Sequence, residues 1–250
     1  MALVRRLYAK LPLEVRDRVR PLKHARLVFE SPAEPPLPDR LWRTEPVSRQ
    51  YGFDRGTPID RYYIERFLTT HSAVIRGRVL EVQDNDYTVR FGGNHVTRSD
   101  VLHVDPGHPG VTIVADLCNA PEIASDTFDC IILTQTLFLI PDLDEIAQTL
   151  ARILKPGGVL LVTTAGISPI CHHEDELWGH YWNLTRRSVE LIFAGPFGAG
   201  TIEIECFGNV LSAICSLQGL AAEELQPAEL DLRDDLYPVI IGARIAKSRT

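Results

Sequence analysis

"DTFDCIILTQTLFLIPDLDEIAQTLARILKPGGVLLVTTAG", residues 126–166, decides the fold. It opens on a short apolar run, "FDCIILT" (128–134), the mark of a strand covered on both faces. A helix follows, with Asp142 where an N-cap belongs and Glu145 three residues on, the spacing of a capping box. Leu143, Ile146, Ala147, Leu150, Ile153 and Leu154 recur on one helical face. Lys155, Pro156 and the Gly157–Gly158 pair stop that helix, and "GVLLVTTA" (158–165) is a second apolar strand. Strand, helix and strand in this order form a βαβ unit, which predicts parallel pairing.

The same rhythm extends in both directions. Upstream, "RVLEV" (78–82), "VLHVD" (101–105) and "TIVAD" (112–116) read as strands; downstream, "TIEIECF" (201–207) and "YPVIIGARIA" (237–246) do. The expected fold is α/β: a doubly wound, mostly parallel seven-stranded sheet with an N-terminal helical extension. "TPIDRYYIERFLTTH" (57–71) reads as a helix with Thr57 capping and Pro58 in the first position.

We expect a basic helical leader with a Pro-rich linker over residues 1–50, then an α/β domain over 51–250. Within that domain, 51–77 would form a lid helix and 209–232 a helical insertion before the last strand. Val4, Tyr8, Leu11, Val15 and Val19 sit among arginines in the leader, an amphipathic pattern. Packing against the body and peripheral membrane contact through residues 1–26 are both open to it. Five prolines between Pro32 and Pro46 make an extended linker.

The net charge of −7 is unevenly placed: residues 1–45 carry ten Lys/Arg against six Asp/Glu, leaving an acidic body. An acidic body argues against a nucleic-acid groove. No apolar run reaches the roughly 18 residues of a bilayer span, so no integral membrane segment is expected. The N-terminus has no uninterrupted apolar centre, unlike a secretory signal. Five scattered cysteines without a CxxC pair argue against a disulfide framework or a structural zinc site, and point to a reducing, cytoplasmic setting.

In this order the pieces resemble the class I S-adenosylmethionine-dependent methyltransferases, in the small-molecule branch called type 11. The resemblance covers roughly residues 75–200, with 126–166 its most specific part and "WGHYWNLTRRSVELIF" (178–193) a further match. It implies S-adenosyl-L-methionine as cofactor, bound at the C-terminal edge of the first strands. It carries over Asp105 as the acid for the ribose hydroxyls, and Asp116 with the Leu117 amide as neighbours of the adenine. Gln135 falls where the family lines the methionine side. Each Asp has a plainer reading as a cap of the following turn.

The departure lies in "RVLEVQDNDYTVRFGG" (78–93). The family reads E-x-G-x-G-x-G here, whereas this chain reads Glu81-Val82-Gln83-Asp84-Asn85-Asp86-Tyr87. Glu81 keeps the family's acid. Asp84 and Asn85 are expected to replace part of the glycine function, since Asx residues tolerate positive φ.

For chemistry, "ISPICHHEDELWGHYWN" (167–183) lies over the expected cofactor edge, and His173 or His172 there is the candidate general base. Loop polarity is the plainer reading. Adjacent histidines with no HxH or HxxxH pair argue against a metal. Trp178 could line an acceptor pocket, and Arg55, Tyr62 and Tyr63 could reach substrate from the lid; their plainer reading is a surface ion pair and buried rings.

The expected activity is methyl transfer to a small molecule, with a hydroxyl of a sugar or secondary metabolite favoured by the family's habits alone. The alternatives are non-methylating chemistry on this fold (cyclisation, elimination or group transfer), and a non-catalytic partner of a glycan-assembly enzyme. The insertion after Gly208-Asn209 either covers the site or makes a homodimer face.

Overall fold

The computed structural model describes residues 43–198 and 202–249. The leader helix expected in residues 1–26, and the prolines of the linker up to Pro38, lie outside them.

Seven strands form one sheet: β1 (Gly77–Val82), β2 (Val96–His103), β3 (Ile113–Val114), β4 (Phe128–Thr134), β5 (Leu154–Ala165), β6 (Ile202–Phe207) and β7 (Ile240–Ala246), in the spatial order β3-β2-β1-β4-β5-β7-β6. All neighbours pair parallel except β7, which runs antiparallel to both β5 and β6. The register sets Val79, Leu80 and Glu81 of β1 beside Cys130, Ile131 and Ile132 of β4.

The helix Leu143–Ile153 forms as read, with Asp142 Oδ1 accepting from the amides of Asp144 and Glu145 at 3.1 and 3.0 Å. Its stop differs from expectation. Leu154 pairs with Phe128 and Gly157 N donates to Lys247 O, so β5 begins directly at Leu154 rather than after the glycines. On this face Ile146, Leu150 and Ile153 join Val189, Phe193 and Phe197 of the helix Arg186–Phe197 to cover Leu80, Ile131, Leu160 and Ile241.

On the opposite face the helix Ile59–Thr70 covers β5 and β7. Phe67 seats against Gly242 of β7, where an added Cβ would lie 2.6 Å from its ring. Pro58, not Thr57, precedes the helix, and the Thr57 hydroxyl donates instead to Glu223 at 2.7 Å.

That bond belongs to a longer seam. Ser48 N donates to Gln218 O and Ala222 N to Thr57 O, and Pro58 bridges Ala221. Asn209 caps the helix Val210–Leu217 and also donates to Glu229 O and Leu232 O at 2.7 Å. Residues 47–70 and 209–231 therefore form one cap over β5 and β7.

Candidate functional site

The sheet's strand order reverses between β1 and β4. Open α/β sheets bind ligands in the crevice at such a reversal, beyond the C-terminal strand ends.

The turn after β1 keeps the geometry a glycine would give it without the glycine. Gln83 stands at φ 82, in the position of the family's first glycine, where side chains are strained by roughly 1–2 kcal/mol. The positive φ falls on Gln83, not on Asp84 or Asn85 as the Asx argument had it. Asp84 Oδ1 instead accepts from Asp86 N at 3.0 Å, and Asn85 Nδ2 donates to Ser99 Oγ at 3.1 Å. Glu81, 2% exposed, accepts from Tyr87 N at 3.2 Å and from Thr88 N and Oγ1 at 2.7 Å each. It holds the turn together from inside, and burial pushes its carboxyl up to about 7 against the pull of those donors.

After β2, Asp105 is exposed and its Oδ1 accepts from Gly107 N at 2.8 Å. Two histidines missed in the sequence flank it. His103 Nδ1 accepts from Asp105 N at 3.0 Å, and its ring stacks on His108 at 3.9 Å between centroids. His108 Nε2 donates to Gln83 O at 2.6 Å, tying the β1 turn to the β2 loop. The turn "DPG" (105–107) between them was the available signal. Trp178 lies edge-on to His103 at 5.9 Å. Beyond β3, Asp116 Oδ1 accepts from Cys118 N at 2.9 Å, and the Leu117 side chain is buried in the core.

At the end of β4, Gln135 stands at φ 49, its amide N bonded to Thr163 O at 2.8 Å. Its Oε1 is buried with no partner, and its side chain acts on the neighbouring Asp60 carboxylate to favour the charged form. Burial raises the Asp60 carboxyl above the usual carboxylate range. Both residues line a small pocket together with Tyr51, Ala165, Ser168, Ser216 and Ile240 among others. Two of the four non-glycine residues with positive φ among the described residues, Tyr51 and Gln135, line this one pocket. Such strain persists only where surroundings enforce it, and it gathers at functional sites.

The lid candidates are engaged elsewhere. Arg55 pairs with Glu224 at 2.6 Å, the Tyr62 hydroxyl donates to Asp231 at 2.8 Å, and the buried Tyr63 hydroxyl donates to Leu230 O at 2.9 Å. All three stitch the cap. His172 and His173 open the helix His172–Leu177, and their side chains lie outside what the structure describes. His180 stacks on Phe138 at 4.7 Å with both ring nitrogens buried and unpartnered.

Residues 72–162 match the family model described as a methyltransferase domain. Over those residues the chain is similar to that family. A search of curated proteins found no match. Among solved structures, a SAM-dependent methyltransferase from Archaeoglobus fulgidus superposes with a TM-score of 0.50 and 10% identity, covering 75% of this chain and 94% of its own. The [4+2]-cyclase SpnF superposes at 0.51 with 15% identity, covering 78% and 85%. At such identities the likeness establishes the methyltransferase fold.

The residues present can be set against S-adenosylmethionine, whose sulfonium and ammonium are cationic. The buried, unpartnered Gln135 Oε1 is an acceptor suited to a cation, on the sheet edge beside the strand reversal. The turn at Gln83 keeps a left-handed backbone, and the Asp105 carboxylate is exposed on the same edge. On this donor and acceptor set the residues fit the group.

Proposed function

We propose that this chain transfers a methyl group from S-adenosylmethionine to a small-molecule acceptor. Asp105, Asp116, the Gln83–Asn85 turn and Gln135 would hold the cofactor, with the pocket under the cap receiving the acceptor. The observation that carries the reading is Gln135 Oε1, buried without a partner in a strained backbone beside the strand reversal. A bound cofactor supplies a methyl group made electrophilic by the sulfonium. The chain's part is placement and exclusion of water: the cap closes over β5 and β7, and the edge fixes both ligands relative to each other.

Calorimetric titration with S-adenosylmethionine and S-adenosylhomocysteine tests this. Saturable binding is expected, weakened about tenfold in Gln135→Met through loss of a hydrogen bond to a charged group, and weakened also in Asp105→Ala. No heat and no thermal shift at millimolar ligand would remove the reading.

The side chains at 83, 85 and 87 favour one competitor, non-methylating chemistry on the same fold. It predicts turnover that does not depend on the cofactor's methyl group.

A further inference from the structure

The pocket under the cap has an uneven chemistry. Its polar lining consists of Tyr51, Asp60, Gln135, Ser168 and Ser216, with no lysine, arginine or histidine. Asp60 offers a carboxylate, which accepts only and takes the Arg61 amide on Oδ1 at 2.8 Å, and Gln135 Oε1 is a buried acceptor with no partner. Two of the three hydroxyl protons are committed to the main chain: Tyr51 donates to Ile170 O at 3.3 Å and Ser168 to Pro169 O at 2.9 Å. Arg61, whose amide meets Asp60 and whose charge favours its ionised carboxylate, has its guanidinium over the Phe53 and Tyr87 rings, 5.8 and 5.6 Å from their centroids.

Acceptors in a pocket that no cation lines ask the ligand for donors and positive charge. A carboxylate or phosphate would meet repulsion from Asp60. A hydroxyl brings a single donor for several acceptors, whereas an ammonium brings three and a charge. Burial has already lifted the Asp60 carboxyl, and a cation beside it offsets that cost of desolvation.

We propose that this pocket binds an amine, with Asp60 as counter-ion and Gln135 Oε1 as the second acceptor, so that the methyl acceptor is an amine rather than a hydroxyl. For transfer, the bound ammonium would first yield a proton to the Asp60 carboxylate, and the freed nitrogen lone pair would form the new N–C bond as the cofactor's S–C bond breaks, with S-adenosylhomocysteine leaving. The step from binding to acceptor rests on the function proposed above; the binding site does not.

The test titrates benzylamine and cyclohexylamine, against benzyl alcohol and cyclohexanol of matched shape, into the purified chain with and without S-adenosylhomocysteine. Each amine is expected to bind at least tenfold more tightly than its alcohol. Asp60→Asn should erase that preference while leaving S-adenosylhomocysteine affinity within twofold. A thermal melt of Asp60→Asn and the unaltered alcohol affinities confirm that the variant folds. Equal binding of amines and alcohols, retention of the preference in Asp60→Asn, or no amine heat at millimolar concentration each overturns the site. Amine binding that persists without any response to S-adenosylhomocysteine would sustain the site and remove the methyl-transfer reading instead.

Discussion

Glu81 is caught between two opposed effects, and their balance can be measured. Three donors point at its carboxylate, two amides and the Thr88 hydroxyl, and each favours the ionised form. Burial at 2% exposure favours the neutral form, and it prevails, holding the folded carboxyl at about 7 against an ordinary 4.5. A raised carboxyl has a definite sign. The folded state binds its proton more tightly than the unfolded chain, so its contribution is full below pH 4.5 and lost as pH rises through 7. The size of that loss is about 3 kcal/mol, at roughly 1.4 kcal/mol per pH unit. Glu81→Gln cannot titrate and keeps one acceptor. The stability of the wild-type protein minus that of Glu81→Gln should therefore fall by about 3 kcal/mol between pH 4.5 and 8. In urea, with a slope near 3 kcal/mol/M for a chain of this size, that is a relative midpoint shift of about 1 M. A difference independent of pH would mean that donors and burial cancel, and one that grows with pH that the three donors outweigh burial and hold the carboxylate charged; either refutes the balance described.

Two further outcomes follow from the backbone. Gln83→Gly relieves roughly 1–2 kcal/mol of left-handed strain against roughly 0.5–1 kcal/mol of added chain entropy. Calorimetry should show an unchanged or slightly raised melting temperature, and a fall of several degrees would show that the Gln83 side chain itself holds the turn. Gly242→Ala drives a Cβ to 2.6 Å from the Phe67 ring and should cost about 1–3 kcal/mol in denaturant. Gly195→Ala, in the helix Arg186–Phe197 with nothing within 4 Å of the new carbon, should instead gain up to about 1 kcal/mol; similar effects at the two positions would contradict the packing described.

The fold was legible where periodicity is local. The helix after Asp142 and the apolar strands β1 and β4 lie where their patterns put them, because each pattern reports burial on a regular element. β2 reaches back to Val96 through the polar residues Thr97, Arg98 and Ser99, which no apolar run marks. "TIVAD" shrinks to the two-residue β3, since the Thr112 hydroxyl takes the place of a backbone acceptor for Val101 N of β2 and Asp116 serves the turn that follows. The site was far less legible. Asp60 in a helix's first turn reads as a complement to the helix dipole, and only tertiary structure brings it to Gln135. Arg55, Tyr62 and Tyr63 looked available because Glu224, Asp231 and Leu230 lie well over 150 residues away in the chain.

The seam between residues 47–58 and 218–224 has a consequence for the order of synthesis. Ser48 meets Gln218, a partner that leaves the ribosome about 170 residues later, roughly 10 to 30 seconds at ordinary rates of translation. Through that interval the first half of the cap has nothing to join, and the β5 surface it will cover must wait for β7. The strands β1 to β5 can pair on the emerging chain, while the pocket exists only once the final quarter has been made. A ribosome stalled before residue 218 would carry a largely formed sheet and no pocket beneath a cap.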